Sequence, residues 1–263
     1  MDGEPLAEAS NETVDEILGS RLRIVQKKTG YRFSLDALLL AHFVSLREGD
    51  DLIDLGTGSG IIALILAARF RCGRILGIDI QEPLVRMARR SAAMNGLDRL
   101  VEIRQGDVRH PETLCDSMTF DAAVFNPPYR RLRSGRMNHD PEKTVARHEI
   151  MGTAADFLSA AAHALRLGGR VFTIYPSTRM VEMLFQMRVC RIEPKRVRIV
   201  YSRPDGEGKF ALVEGVKGGR EALAVLPPLH VYEGKRGYSP EMASIYRELS
   251  VFPPAAGDRS PLS

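Results

Sequence analysis

The stretch "DDLIDLGTGSG", residues 50–60, decides the fold. A short apolar run reaches Asp54, passes through Gly56, Gly58 and Gly60, and gives way to Ile61, Leu64, Ile65 and Ala68, which recur at helical spacing. A strand that breaks on glycines and re-enters as a helix (61–70) is the first half of a βαβ unit, and the glycines let backbone pass close to a ligand. The spacing is not the dinucleotide fingerprint GxGxxG, because the third residue after Gly58 is Ile61. No Lys follows the glycines, so the turn is not a phosphate-cradling loop either.

The rhythm continues outward. "RILGIDI" (74–80) reads as a second strand, 82–95 as a helix closed by Gly96, and "VEIRQGD" (101–107) and "DAAVFN" (121–126) as strands three and four. Thr153 and Asp156 form a capping-box pair that opens a helix running through Leu167 to a stop at Gly168 and Gly169, followed by strand five at 170–176. Strands alternating with helices at this spacing predict a parallel sheet covered on both faces. The pattern then changes: "RVRIVYS" (196–202) and "FALVEGVK" (210–217) are separated only by "RPDGEGK", too short for a crossover, so the sheet should end in an antiparallel hairpin. Upstream, a strand is expected at 21–27 and a helix from Leu35, with Ser34 placed to cap it.

Composition narrows the class. With 44% apolar and 27% charged residues the chain suits a soluble globular domain. No run approaches the roughly 20 apolar residues of a membrane span, and the N-terminus lacks signal-peptide order, so no membrane partner and a cytoplasmic location are expected. Cys72, Cys115 and Cys190 form no CxxC pair, which points to neither disulfide framework nor metal site. Residues 1–20 carry six acids and no Lys or Arg, leaving 37 basic against 27 acidic side chains in the remainder. A basic body suits a polyanionic partner, and solubility alone explains it equally well. The acidic leader (1–20) and the tail (251–263) are expected to be disordered, flanking one domain over 21–250.

Ligands of an open α/β sheet sit beyond the carboxyl ends of its strands. Asp54 and the glycines mark the first such end. Asp79 closes the second, where an acid accepts both hydrogen bonds of a ribose diol, and Asp107 closes the third, where it can accept from an adenine amine. Each alone could be a cap; three in succession suggest a ligand with a ribose and a purine but no phosphate. Over about residues 21–217 the chain resembles the S-adenosylmethionine-dependent methyltransferases. That resemblance implies a Rossmann-like class I fold, whose seven-stranded sheet the hairpin completes, with S-adenosylmethionine as cofactor. It further implies that Gly56 and Gly58 face the methionine moiety with Asp54 supporting the loop, that Asp79 holds the ribose and Asp107 the adenine, and that Gly60, Ile80, Val108 and Asn126 are further cofactor-site candidates.

"NPPY" (126–129) ends strand four on the same edge. An amine conjugated to a base or carbonyl is a poor nucleophile. Acceptance of its two N–H bonds by the Asn126 side-chain oxygen and the Pro127 carbonyl pulls the nitrogen out of conjugation and aims its lone pair. Pro127 and Pro128 stiffen the corner and remove donors, and Tyr129 offers a face on which a planar target can stack. The tetrapeptide resembles that of nucleic-acid adenine-amine methyltransferases and that of enzymes methylating a glutamine amide (N5) of release factors or ribosomal proteins, and it does not choose between them. Arg130, Arg131, Arg133 and Arg136 follow at once, with Arg147 further on, as candidates to clamp an RNA backbone. A solvated loop is the bland alternative, and the position beside the target pocket favours the clamp.

Three further stretches, "KKTGYRFSLDALLLAHF", the long loop after "NPPY", and "YSRPDGEGKFALVEGVKGG" with "LPPLHVY", resemble the bacterial methyltransferases of the adenine beside the anticodon of a valine tRNA, over about residues 20–240. That similarity implies tRNA as the partner and a segment around 31–36 folded over the cofactor, which makes Arg32, Phe33 and Asp36 cofactor-site candidates. A non-catalytic RNA-interaction protein that binds the cofactor stays open. Monomer and homodimer are not distinguished.

Overall fold

A computed structural model describes residues 11–28, 34–128, 152–233 and 237–250. Its centre is the predicted alternation: β3 (Leu52–Leu55), α2 (Ile61–Arg69), β4 (Ile75–Asp79), α3 (Glu82–Met94), β5 (Val101–Gln105), β6 (Phe120–Phe125), α4 (Ala154–Ala164), β7 (Leu165–Pro176), α5 (Met180–Val189), β8 (Ile192–Tyr201) and β9 (Gly208–Lys217). The strands β3 to β7 pair in parallel, and β9 runs antiparallel between β7 and β8. The sheet order is β8-β9-β7-β6-β3-β4-β5. Two short strands, β10 (Ala224–Val225) and β11 (Leu229–His230), extend it by pairing with β8. The order in which the chain adds its parallel strands reverses between β3 and β6, which opens a crevice at their carboxyl ends.

Side-chain alternation along the strands produces two cores. Leu52, Ile75, Ala122, Val124 and Phe172 face one side, where α1 (Leu35–Phe43), α2, α3 and the C-terminal α6 (Pro240–Ser250) cover them. Ile53, Leu76, Ala123, Phe125 and Val171 face the other side, covered by α4 and α5. Strands buried on both faces explain why β3, β4 and β6 read as continuous apolar runs.

Four local expectations differ from the structure. Residues 12–17, inside the leader expected to be disordered, form β1 (Glu12–Ile17), which pairs antiparallel with β2 (Leu22–Lys27). The helix opened by Thr153 keeps its capping box but ends at Ala164, because Leu165 pairs with Phe120 and the chain is already extended there. The bend at Gly168 (φ +78°) therefore lies inside β7, beside the register shift between Phe120 and Ala122. Ser34 stands at the N-cap of α1, yet its hydroxyl donates to the Asp36 carboxylate and does not cap a backbone amide. Finally, α5 and α6 have no counterpart in the sequence reading. The tail 251–263 lies outside the described residues.

The β1–β2 hairpin is anchored to α3 by polar contacts, the central one buried. Val25 N–H donates to Ser91 Oγ at 2.9 Å, and that hydroxyl donates to the Met87 carbonyl at 2.9 Å. Arg23 and Asn95 exchange two further bonds, from Arg23 N to Asn95 Oδ1 and from Asn95 Nδ2 to the Arg23 carbonyl. Replacing Ser91 by Ala should leave the Val25 amide buried without an acceptor, at a cost of about 1–3 kcal/mol. Amide exchange should then accelerate in 22–27 and hardly change in β3 and β6; unchanged protection at Val25 would show that Ser91 does not hold the hairpin.

Candidate active site

Strand register brings the predicted residues to one edge. Leu55 pairs with Ile78 on one side and Phe125 on the other, so Gly56 follows between Asp79 and Asn126. Asp79 in turn pairs with Gln105, two residues before Asp107.

Two glycines of the turn are required by geometry. Gly56 has φ +71°, and a Cβ there would lie 2.9 Å from the Phe157 ring; Gly60 has φ +83°, with the Ala88 Cβ 3.2 Å from where its own would be. The folded-back loop points the Gly58 N–H at Asp79 Oδ2 (2.9 Å), and Gln81 N–H reaches Oδ1 (2.8 Å). Burial pushes the Asp79 carboxyl above its ordinary range, and the two amides oppose that shift. Each oxygen keeps a second lone pair for an outside donor.

Asp54, in β3, is 1% exposed and accepts from Thr57 Oγ1 at 2.7 Å. Burial pushes its carboxyl up to about 7; the bonds from Thr57 and the Ala63 amide oppose this, and the nearby Asp79 adds to it. Asp107 is half-buried, and Arg109 grips both of its oxygens from two residues away, with Nε at 2.9 and 3.0 Å. That guanidinium holds the carboxyl below its usual range. Ile80 is half-buried, and its carbonyl accepts from Gln105 Nε2, while the Val108 side chain is buried in the core under the loop.

The contact that organises the centre joins Asp36 to Asn126. Asp36 is 4% exposed at the start of α1, and its Oδ2 accepts from Asn126 Nδ2 at 3.1 Å. Its other oxygen is held by Ser34 Oγ and the Ala37 amide. With its NH₂ committed, Asn126 presents Oδ1 as the free end, buried and without a partner. Asp36, expected at the cofactor, thus orients the side chain expected to act on the target. Pro127 is buried behind it and Pro128 is half-buried. Tyr129, Arg130, Arg131, Arg133, Arg136, Arg147, Arg32 and Phe33 lie outside the described residues.

Three of the four buried, unpartnered side-chain polar atoms among the described residues lie at this edge: Asp54 Oδ1, Ser59 Oγ and Asn126 Oδ1. Native proteins leave few such atoms unpaired, so a cluster of them marks a ligand site. Each of the three can accept a hydrogen bond, so the edge offers acceptors to an incoming donor. Thr57, Ser59 and Phe157 escaped the sequence reading; the first two are small polar letters within the glycine turn, and only the fold reveals Phe157 beneath it.

The Asp54 shift has a signed consequence. A carboxyl at about 7 in the folded chain against an ordinary 3.8 keeps a proton that the unfolded chain releases, so stability falls as pH rises across that window. The melting temperature of Asp54→Asn relative to the unsubstituted protein should rise by a few degrees between about pH 4 and 7 and level off above. A difference that stays flat would contradict the buried, protonatable Asp54.

Residues 34–193 match the methyltransferase small domain family. A tRNA1(Val) (adenine(37)-N6)-methyltransferase from Porphyromonas gingivalis (strain ATCC 33277) is 30% identical over 200 residues, covering 74% of this chain and 78% of that protein. A protein of the same name from Histophilus somni (strain 2336) is 26% identical over 203 residues, covering 72% and 84%. Among solved structures, a "predicted O-methyltransferase" from Agrobacterium tumefaciens superposes with a TM-score of 0.67 at 21% identity over 83% of this chain and 98% of that one. The [4+2]-cyclase SpnF gives 0.53 at 17% identity, covering 69% and 80%, which shows that the fold alone does not fix the reaction. Family match, class I sheet and glycine turn agree, and the chain is a member of the methyltransferase small domain family.

Proposed function

We propose that the protein is an S-adenosylmethionine-dependent methyltransferase acting on the exocyclic amine of an adenine in tRNA. The observation that carries this reading is the orientation of Asn126: Asp36 takes its NH₂, so the unpartnered group left at the carboxyl edge is an acceptor. An acceptor is what an N–H of a conjugated amine needs. The names of the curated relatives, which specify the adenine at position 37 of tRNA1(Val), support that adenine of a valine tRNA as the target.

When bound, S-adenosylmethionine supplies an electrophilic methyl group on a sulfonium. Asp79 would hold the ribose hydroxyls, Asp107 the adenine amine, and Asp54 with the glycine turn the amino-acid arm. Asn126 Oδ1 accepts one N–H of the target amine and the Pro127 carbonyl accepts the other, which draws the nitrogen lone pair out of the ring system. Tyr129 stacks on the base, and the rigid prolines keep the two acceptors in register. No general base is required beforehand, because the amine loses its proton to water once the new bond has formed. Positioning therefore supplies most of the rate. Arg130, Arg131, Arg133, Arg136 and Arg147 are assigned to the phosphates around the target.

Methyl label from S-adenosylmethionine should enter unmodified tRNA as N6-methyladenosine; label entering only a release-factor or ribosomal protein would overturn the RNA reading. Asn126→Ala should lower kcat by about 100-fold or more, comparable to removing one preorganised polar contact to a transition state, while cofactor binding persists. An unchanged kcat would remove Asn126 from the chemistry.

A further inference from the structure

A cavity of about 350 Å³ opens between α1, the β8–β9 hairpin and Tyr232. Resting on the reading that an RNA adenine is the substrate, we propose that it is a nucleotide subsite. It takes the unpaired base adjacent to the target adenine, with Tyr232 as the stacking surface and Lys209 as the partner of a neighbouring phosphate.

Its place in the sheet comes first. The acids assigned to the cofactor lie at the ends of β3, β4 and β5, on one side of Asn126. Across Asn126, Phe210 near the start of β9 lies opposite Pro176, the carboxyl end of β7, and β8 ends at Tyr201 opposite Gly208, the first residue of β9. The walls contributed by Val200, Ser202, Lys209 and Phe210 therefore stand on the same edge, on the side left for the substrate. Asp36 lines the cavity too, and it is the residue bonded to Asn126. One carboxylate thus separates the cavity from the target acceptor, a separation suited to the nucleotide beside the target.

Chemistry agrees with that placement. Most of the lining is apolar, with polar groups confined to Asp36, Ser202, Lys209 and the Tyr232 hydroxyl, the balance usual for a small-ligand pocket. Tyr232 and Tyr238 stay exposed, at 38% and 47%, although they are large aromatic rings. They stack with centroids 5.4 Å apart and planes 11° from parallel, and Tyr238 leans on Tyr246 at 5.2 Å. A ring already braced from behind loses little conformational freedom when a base stacks on it, and every base offers such a face. Lys209 is exposed and has no carboxylate partner among the described residues, whereas nearby Arg198 is taken by Glu241. An aromatic face, an apolar slot and an unpaired cation together match an unstacked nucleotide of an RNA loop.

The test uses the full chain and an anticodon-arm RNA carrying 4-thiouridine on either side of the target adenine. Irradiation should cross-link the analogue to the peptide containing Tyr232. Tyr232→Ala and Lys209→Glu should each raise KM for the RNA about tenfold, within the range of one lost base stack or phosphate contact, with kcat and S-adenosylhomocysteine affinity unchanged. Tyr232→Phe should retain the original KM, because stacking needs only the ring. Methyl transfer to the same RNA with cross-links elsewhere and KM unmoved would overturn the subsite while the RNA reading stands. Absence of any transfer to RNA would overturn both.

Discussion

A hydrogen bond between residues 90 positions apart sets the polarity of the whole centre. The Asn126 amide could present either its oxygen or its NH₂, and only the former can receive a target N–H. Asp36 resolves the choice by accepting from the NH₂, and it is itself fixed by Ser34 and the Ala37 amide. The first turn of α1 therefore fixes the side chain at the β6 end, and α1 keeps its place because Leu38, Leu39, Leu40 and Ala41 are buried in the core.

Everything on the cofactor side depends on another constraint, the reversal of strand order between β3 and β6. It opens the crevice, and the glycine turn then lowers backbone into it, tied to Asp79 through the Gly58 amide. The cost is a carboxyl, Asp54, buried without a cation beside it among the described residues and shifted to about 7. A cationic ligand would offset that burial. The cavity lined by Val200, Ser202, Lys209 and Phe210 lies on the opposite side, over β8 and β9, with Asn126 between it and the β4 and β5 ends.

The central alternation was legible because β3, β4 and β6 are apolar on both faces and stop on Gly, Asp or Asn. The glycine turn and Asp79 were legible for the same reason: local letters carry local geometry. Where tertiary contacts overrode local pattern, the reading failed. In α5 the exposed Val181, Phe185 and Val189 alternate with the buried Met183 and Met187, leaving no polar face to mark a helix. The acidic ETVDEI segment forms a strand by pairing with β2, and its acids find partners in Gln26 of that strand and in Arg90 of α3, 78 residues away. Leu165 pairs with Phe120 of β6 and does not continue α4. The bond from Asn126 to Asp36 was not legible either, since no local pattern reveals a contact across 90 residues.

The most direct test of this account is a double-mutant cycle on kcat with Asp36→Ala and Asn126→Ala, with cofactor affinity measured in parallel. If Asp36 acts by orienting Asn126, its removal lowers kcat in the original protein and has almost no further effect once Asn126 is Ala, because the side chain it orients is gone. Losses that multiply across the two sites, or an Asp36→Ala effect confined to cofactor affinity, would contradict the claim that Asp36 sets the acceptor.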